Sequence, residues 1–344
     1  MRVDRGTVLV TGANGYIASC TIYELLQAGY AVRGTVRSPH LADRLRARLR
    51  TWSDDGLLEI VHVPDITIPG AFDNAVQAVA HIAAPISSTF TDPSPILATA
   101  VQSTTGLLDS CVSAAGPNLK SFILMSSATT MIPKGLYAHL ITEADWENWA
   151  EDEIAALGPR ASASSIYVAS KTASERAMWR FRNERGPPFS MTSINPGFVC
   201  GPPLVLPDDP NQLSETAGIV WDVFHGQKVK PAFQGIWPYV DIHDVARLII
   251  WAIDHPALLD KERYLAVATE ASPLNIAELL LRGYPGRRDI IRGPWSGAND
   301  SSEQPVPGRT VGFDASKAVK ATGKPWISFD RTVLEAAKDF EVYL

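Results

Sequence analysis

The chain has 344 residues, 46% of them hydrophobic and 20% charged, with a formal net charge of −6. That length supports a large buried core, as one α/β unit or two lobes, and the composition is that of an ordinary soluble enzyme. The acidic balance excludes nucleic acid as a leading partner.

In chain order, the first two-thirds alternates β-branched runs with helical spacing. Strands are predicted at TVLVTG (7–12), AVRGTVR (31–37), LEIVHV (58–63), AVAHIAA (78–84), SFILMSS (121–127) and SMTSINPG (190–197). Helices are predicted at 16–28, 41–50, 71–77, 95–115 and 168–185. The basic run DRLRARLR at 43–50 reads as a solvated helix face. Strands alternating with helices predict a parallel, doubly wound, Rossmann-type α/β sheet covered on both faces. After about residue 197 the character changes. GPPLVLPDDPNQLSE (201–215) and GPWSGANDSSEQPVPG (293–308) read as loops, ETAGIVWDVFHG and NIAELLLRGY as helices, and a last helix is expected from Asp330 to Phe340. The expected division is a dinucleotide-binding domain over 1–197, to which 239–270 returns, and a smaller substrate lobe from 198–238 and 271–344.

The first strand runs into TGANGYIA. Gly12 permits a tight turn, Gly15 lets a pyrophosphate approach the backbone, and Ala18 permits close helix packing. Gly29 is the expected helix stop. A helix start offers free N–H groups and the positive dipole end to phosphate, so Gly12, Asn14, Gly15, Tyr16 and Ile17 are candidate cofactor ligands. A site for NAD usually places an acid at the end of the second strand. This strand ends RGTVRSPH, with no acid, and Arg37 and Arg44 offer cations to a 2′-phosphate. The cofactor expected is NADP(H). Arg33 is assigned to pairing elsewhere on the sheet. Asp65 and Ile66 read either as a plain turn or as the edge against adenine. Ala83 and Ala84 are small where the cofactor would pass.

The three cysteines, Cys20, Cys111 and Cys200, form no CxxC pair, which argues against a disulfide framework or zinc site and for a reducing compartment. The seven histidines form no HExxH, so no metal is expected. There is no signal-peptide apolar core, the longest later apolar run (LIIWAI, 248–253) is too short to span a bilayer, and the sequon at Asn299 means little without a secretory signal. A cytoplasmic protein with no membrane partner is expected.

YVASK places Tyr167 and Lys171 four residues apart, on one face of a helix. A nearby ammonium favours the phenolate and lowers the tyrosine pKa, so the phenol exchanges a proton with a carbonyl oxygen. ILMSSATT supplies a hydroxyl donor at the end of the fifth strand. Ser126 and Ser127 point opposite ways there, and Ser127 is assigned to the cleft, with Thr129 beside it.

Together, TGANGYIA, VRGTVRS, the SSAT serines, YVASKTASERAMW and NPGFVCGP resemble the extended short-chain dehydrogenase/reductase superfamily. YVDIHDVARL (239–248) and FDASKAVKATGKPWISFDRTV (313–333) are also in its manner. Within it the chain is most similar to the branch of dihydroflavonol 4-reductase, cinnamoyl-CoA reductase and the fungal carbonyl reductases. The loops 130–165 and 200–240 match no single member, and Ala18 stands where glycine is usual. The resemblance implies a Ser127–Tyr167–Lys171 triad, with Pro196, Gly197 and Val199 lining the nicotinamide. It also implies hydride transfer from the pro-S face of NADPH to a ketone or aldehyde, Lys171 holding the nicotinamide ribose. Phe90, Trp146, Trp149, Phe233, Trp237 and Tyr239 are candidate pocket aromatics, so a bulky apolar or aryl carbonyl is the expected small-molecule substrate. No basic cluster suits CoA. The alternatives are a nucleotide-sugar epimerase or dehydratase, a hydroxysteroid dehydrogenase, or a non-catalytic NADP-binding redox sensor. Monomer and homodimer both fit.

Overall fold

The structure is a computed structural model and describes residues 5–66, 76–84, 91–114, 118–134, 139–230, 233–291 and 311–344. The first half contains β1 (Thr7–Val10), α1 (Tyr16–Gln27), β2 (Ala31–Val36), α2 (Asp43–Arg48), α3 (Arg50–Asp54), β3 (Leu58–His62), β4 (Ala78–His81), α4 (Pro93–Ala114) and β5 (Ser121–Met125). Then come β6 (His139–Ile141), α5 (Ala150–Leu157), α6 (Ala163–Arg185), β7 (Ser190–Pro196), β8 (Phe198–Cys200) and α7 (Glu215–His225). The remainder is β9 (Trp237–Asp241), α8 (Ile242–Asp254), α9 (Pro256–Leu259), β10 (Glu262–Ala266), β11 (Thr269–Ala271), α10 (Pro273–Gly283), β12 (Val311–Phe313), α11 (Ser316–Thr322) and α12 (Phe329–Phe340).

Seven strands form one parallel sheet in the order β10-β7-β5-β4-β1-β2-β3. Its central strands show no alternation of burial: every residue of β4, β5 and β7 is buried, including the polar Ser190, Thr192, Ser193 and Asn195 of β7. Such strands need cover on both faces. On one face, Ile22 and Leu25 of α1 and Val245 and Ile249 of α8 pack with Val8, Val10 and Ile123. On the other, Leu107 and Leu108 of α4 and Met178 and Phe181 of α6 pack on Val79, Phe122 and Met191. This is the doubly wound Rossmann-type fold expected. The chain winds outward in opposite directions from β1 and β4, and the crevice at their C-terminal ends is where such sheets bind ligands.

A second core joins Ile219 and Phe224 of α7, Tyr239 of β9, Leu280 of α10 and Phe340 of α12. Beside it lies a three-stranded sheet, β11-β9-β8. β10 returns to the main sheet next to β7, whereas β9 pairs with β8 outside it. Ala318 of α11 packs into the main core, and β12 pairs with β6.

Several boundaries differ from the sequence reading. Predicted strands overrun at their C-terminal ends, because the backbone there leaves the ladder. The N–H groups of Ile82 and Ala83, for instance, donate to the Thr11 hydroxyl at 3.0 and 2.9 Å. The predicted helix 41–50 is instead α2 and α3, broken at Leu49 (φ −111°, ψ 28°). α6 begins five residues earlier than predicted, at Ala163, because the Ser162 hydroxyl caps it by accepting from the Ser165 N–H at 3.0 Å. Of the predicted helix 71–77, residues 71–75 lie outside the described residues, as do the loop 293–308, the sequon, Pro85 and Phe90.

Candidate active site

The turn after β1 is built for close approach. Gly12 has φ +70°, and a Cβ there would stand 3.1 Å from the Ala83 Cβ, so β1 and β4 meet where only small residues fit. The Ala13 N–H bonds the Thr35 carbonyl at 2.8 Å, which fixes the turn against β2. Gly15 is the N-cap of α1 and has no side chain to offer the first-turn N–H groups. Asn14 and Gly15 are exposed, and Tyr16 and Ile17 half-buried. The Tyr16 hydroxyl donates to the Gly201 carbonyl at 2.7 Å, tying this helix start to the loop after β8. Thr11 accepts from two N–H groups, so its own proton goes to His81 Nδ1, 2.9 Å away. Burial, with Lys171 nearby, pushes the His81 pKa down to about 3, so the imidazole is neutral. His81, Ala83, Ala84, Met125 and Lys171 line one crevice at this edge of the sheet.

Arg37 follows β2 and is exposed. Arg33 pairs with Glu59 on β3 at 2.7 Å, on the sheet as expected. Arg44, on α2, donates to the Leu206 carbonyl at 2.9 Å and forms an ion pair with Asp208. It therefore reaches the loop that Tyr16 holds from the other end. Asp65 is exposed and Ile66 half-buried, just past β3. An exposed cation after β2, an open helix start and a glycine cradle together fit a phosphorylated dinucleotide.

Helix α6 lies along the C-terminal end of β5, and three of its turns each meet that strand end. The Tyr167 phenol faces the Ser127 hydroxyl, which favours its ionised form. Lys171 Nζ donates to the Met125 carbonyl at 3.0 Å. Glu175 Oε2 accepts from the Ser126 hydroxyl at 2.5 Å. Both serines lie just past the end of β5 and are met from α6, Ser126 by Glu175 and Ser127 by Tyr167. Ser127 caps a short 3₁₀ turn, Ala128–Met131, and its oxygen accepts from the Thr129 N–H and hydroxyl at 3.3 and 3.0 Å. Its own proton is therefore the one turned toward Tyr167.

The electrostatics differ from expectation in one respect. Burial raises the Tyr167 pKa above its usual 10, the Ser127 hydrogen bond opposes this, and the carboxylate of Glu215 adds to it. In this protein the Lys171 ammonium is held at the Met125 carbonyl. Burial also pushes Lys171 down from 10.5 to about 8, against the pull of Glu175.

Sequence reasoning missed Glu175. It is fully buried and forms an ion pair with Arg263 of β10 at 2.7 Å. Its Oε1 also receives Ser193 (2.9 Å) and Trp179 Nε1 (3.3 Å), and its Oε2 receives Asn195 (2.8 Å) and Thr130 (3.0 Å). These partners hold its pKa below the ordinary carboxylate value despite burial. The signal was the spacing Tyr167, Lys171, Glu175, which continues one helix face by another four residues.

Pro196 ends β7, and Gly197 packs directly on Pro238. A Cβ on Gly197 would fall on the Pro238 carbonyl, 2.8 Å from its carbon. The Val199 carbonyl accepts from the Thr216 hydroxyl at 2.6 Å, which ties the first turn of α7 to this segment. Phe198, not among the candidate pocket aromatics, stacks on Trp237 at 5.0 Å and meets Phe233 edge-on at 5.6 Å. Of the other candidate aromatics, Trp149 bonds the Ile132 carbonyl at 3.1 Å, Trp146 lies under Arg263 at 3.8 Å, and Tyr239 is core. Among the described residues no group of three or more His, Cys, Asp or Glu is placed to hold a metal ion, and no helix is long and apolar enough to cross a membrane.

The model of the NAD dependent epimerase/dehydratase family matches residues 8–268, most of the chain. The chain belongs to that family. Ketoreductase azaE of Aspergillus niger is 32% identical over 339 residues, covering 96% of each chain. Tetraketide alpha-pyrone reductase 1 of Arabidopsis thaliana is 32% identical, covering 82% of each. Among solved structures, Gre2 of Candida albicans in complex with NADPH superposes with a TM-score of 0.81 at 23% identity over 98% of both chains.

Proposed function

We propose that this protein is an NADPH-dependent carbonyl reductase that converts a ketone or aldehyde, bulky and apolar or aryl, to the alcohol. The observation that carries the reading is the meeting of Tyr167 with Ser127 at the end of β5, with Lys171 one helical turn away. The reductase names of its relatives support it. Gly12, Asn14, Gly15, Tyr16 and Ile17 would hold the pyrophosphate, and Arg37 with Arg44 the 2′-phosphate. Asp65 and Ile66 would border the adenine, and Ala83, Ala84, Pro196, Gly197 and Val199 the rest of the cofactor. Bound NADPH would supply the hydride.

The chain's own residues do the rest. With its lone pairs taken by Thr129, Ser127 turns its one proton toward Tyr167 in the free protein and would give it to the substrate oxygen when a carbonyl enters between them. Such fixed donors are placed where charge develops and cost no reorganisation during the step. Tyr167, held protonated by burial, passes its proton to the developing alkoxide. Lys171 fixes the ribose and offers a cation to the tyrosinate left behind. Phe198, Phe233 and Trp237 supply an apolar wall for the substrate.

The test is NADPH oxidation, followed by absorbance, with aryl ketones, β-keto esters and aldehydes, and with NADH and Tyr167→Phe protein in parallel. Turnover that prefers NADPH and vanishes in Tyr167→Phe is expected. Tight NADPH binding without turnover on any carbonyl refutes the reading in favour of a sensor.

A further inference from the structure

We propose that Glu175 is the positioning residue of this site: clamped by Arg263, its carboxylate holds the turn that carries Ser127 and keeps a counter-charge behind Lys171. The inference rests on the reductase reading and concerns a residue that touches neither substrate nor cofactor.

The geometry is unusual for a merely structural pair. Glu175 sits at the point where α6, the β5 turn, β7 and β10 meet. From β5 and its turn it receives the hydroxyls of Ser126 and Thr130 at 2.5 and 3.0 Å. From β7 it receives Asn195 and Ser193 at 2.8 and 2.9 Å, and from β10 the guanidinium of Arg263 at 2.7 Å. Two of these partners return to the catalytic turn. Asn195 Nδ2 lies 3.3 Å from the Ser127 carbonyl, and Arg263 donates to Thr130 Oγ1 at 3.1 Å. Ser127 is therefore bracketed by Ser126 before it and Thr130 after it, both ending on one carboxylate. The Arg263 guanidinium is itself aimed by the carbonyls of Glu143 (2.9 Å) and Asp145 (2.5 Å) and by the Trp146 ring.

The second half of the role follows from spacing. Lys171 and Glu175 are i and i+4 on α6, and they bond the neighbouring residues Met125 and Ser126. In such a low-dielectric place the carboxylate is screened less than at the surface, although the paired Arg263 offsets part of its charge. Glu175 raises the affinity of Lys171 for its proton against the burial that lowers it. The other titratable group coupled to that ammonium is His81, from β4, neutral across the working range, and Arg263 stands on the far side of the carboxylate.

Glu175→Gln removes the charge and keeps the shape. The first readout is independent of turnover: the titration midpoint of Lys171, followed by NMR of ¹³Cε-labelled lysine in the cofactor-free protein. We expect a midpoint near 8 in the wild type and about one pH unit lower in Glu175→Gln. The second is the pH profile of kcat on a neutral aryl ketone. Its alkaline limb moves down by the same amount, and kcat falls roughly 10- to 100-fold while KM for NADPH stays within threefold. A folded Glu175→Gln protein with an unmoved midpoint and kcat within twofold of wild type overturns the proposal. If that variant does not fold, Ser126→Ala removes one tie to the turn. A several-fold loss of kcat at unchanged KM supports the role, and wild-type kcat overturns it. A midpoint lowered in Glu175→Gln, with a wild-type protein that reduces no carbonyl, overturns the reductase reading and upholds Glu175's hold on Lys171.

Discussion

Replacing Lys171 with methionine is predicted to destroy activity and at the same time stabilise the cofactor-free protein. Lys171 is only 5% exposed, and burial lowers its pKa from 10.5 to about 8. A difference of that size costs the folded state about 3 kcal/mol at pH 7, where the lysine is charged in both states. Methionine fills the same space without charge. It leaves the Met125 carbonyl without the 3.0 Å ammonium bond, an offset of about 1 kcal/mol. The variant is therefore expected to be roughly 2 kcal/mol more stable at pH 7. The sign with pH follows from the same linkage. Between about pH 8 and 10.5 the unfolded chain keeps the proton that the folded protein has lost, so the wild type gains stability as pH rises through that window. The variant has no such gain, and the two converge. Urea unfolding of both proteins at pH 7 and pH 10 measures this directly. A Lys171→Met protein less stable than wild type at pH 7, or a stability difference that does not shrink by pH 10, refutes the reasoning.

Arg37→Ala should weaken NADPH binding roughly 10- to 100-fold and leave NADH unchanged, since a charge-assisted contact is worth about 1.5–3 kcal/mol; cofactor fluorescence titration reads both. Asp208→Asn should tighten NADPH binding by no more than about fivefold, because the Arg44–Asp208 pair is exposed and worth less than about 1 kcal/mol, with NADH again indifferent. Gly197→Ala should lower the urea midpoint by the equivalent of about 1–3 kcal/mol, since its Cβ meets the Pro238 backbone rather than a side chain that can turn away.

What was legible in the sequence is what depends on neighbours in the chain. Gly12 and Gly15 are tied to a strand–helix junction, and Tyr167 and Lys171 to a helical period. Each of those patterns spans fewer than about six residues and has one geometric meaning. Glu175 and Arg263 illustrate what was not legible. They lie 88 residues apart, and a charged residue is by default read as solvated. Only the sheet order, which sets β10 beside β7, brings them together. The pairing of β6 with β12 is hidden for the same reason, and so is the reach of Arg44 to the loop at Leu206. Phe198 was passed over as a pocket aromatic because two of its aromatic partners, Phe233 and Trp237, come from a segment more than thirty residues on.

The central claim is that hydride passes from NADPH to a carbonyl carbon while Tyr167 supplies the proton. The most direct test is turnover of a neutral aryl ketone with NADPH carrying deuterium at the 4-pro-S position, the alcohol analysed by mass spectrometry. The account predicts one deuterium on the carbinol carbon with wild-type protein and no alcohol with Tyr167→Phe. An alcohol formed undiminished by Tyr167→Phe, or no labelled alcohol from any carbonyl, would contradict it.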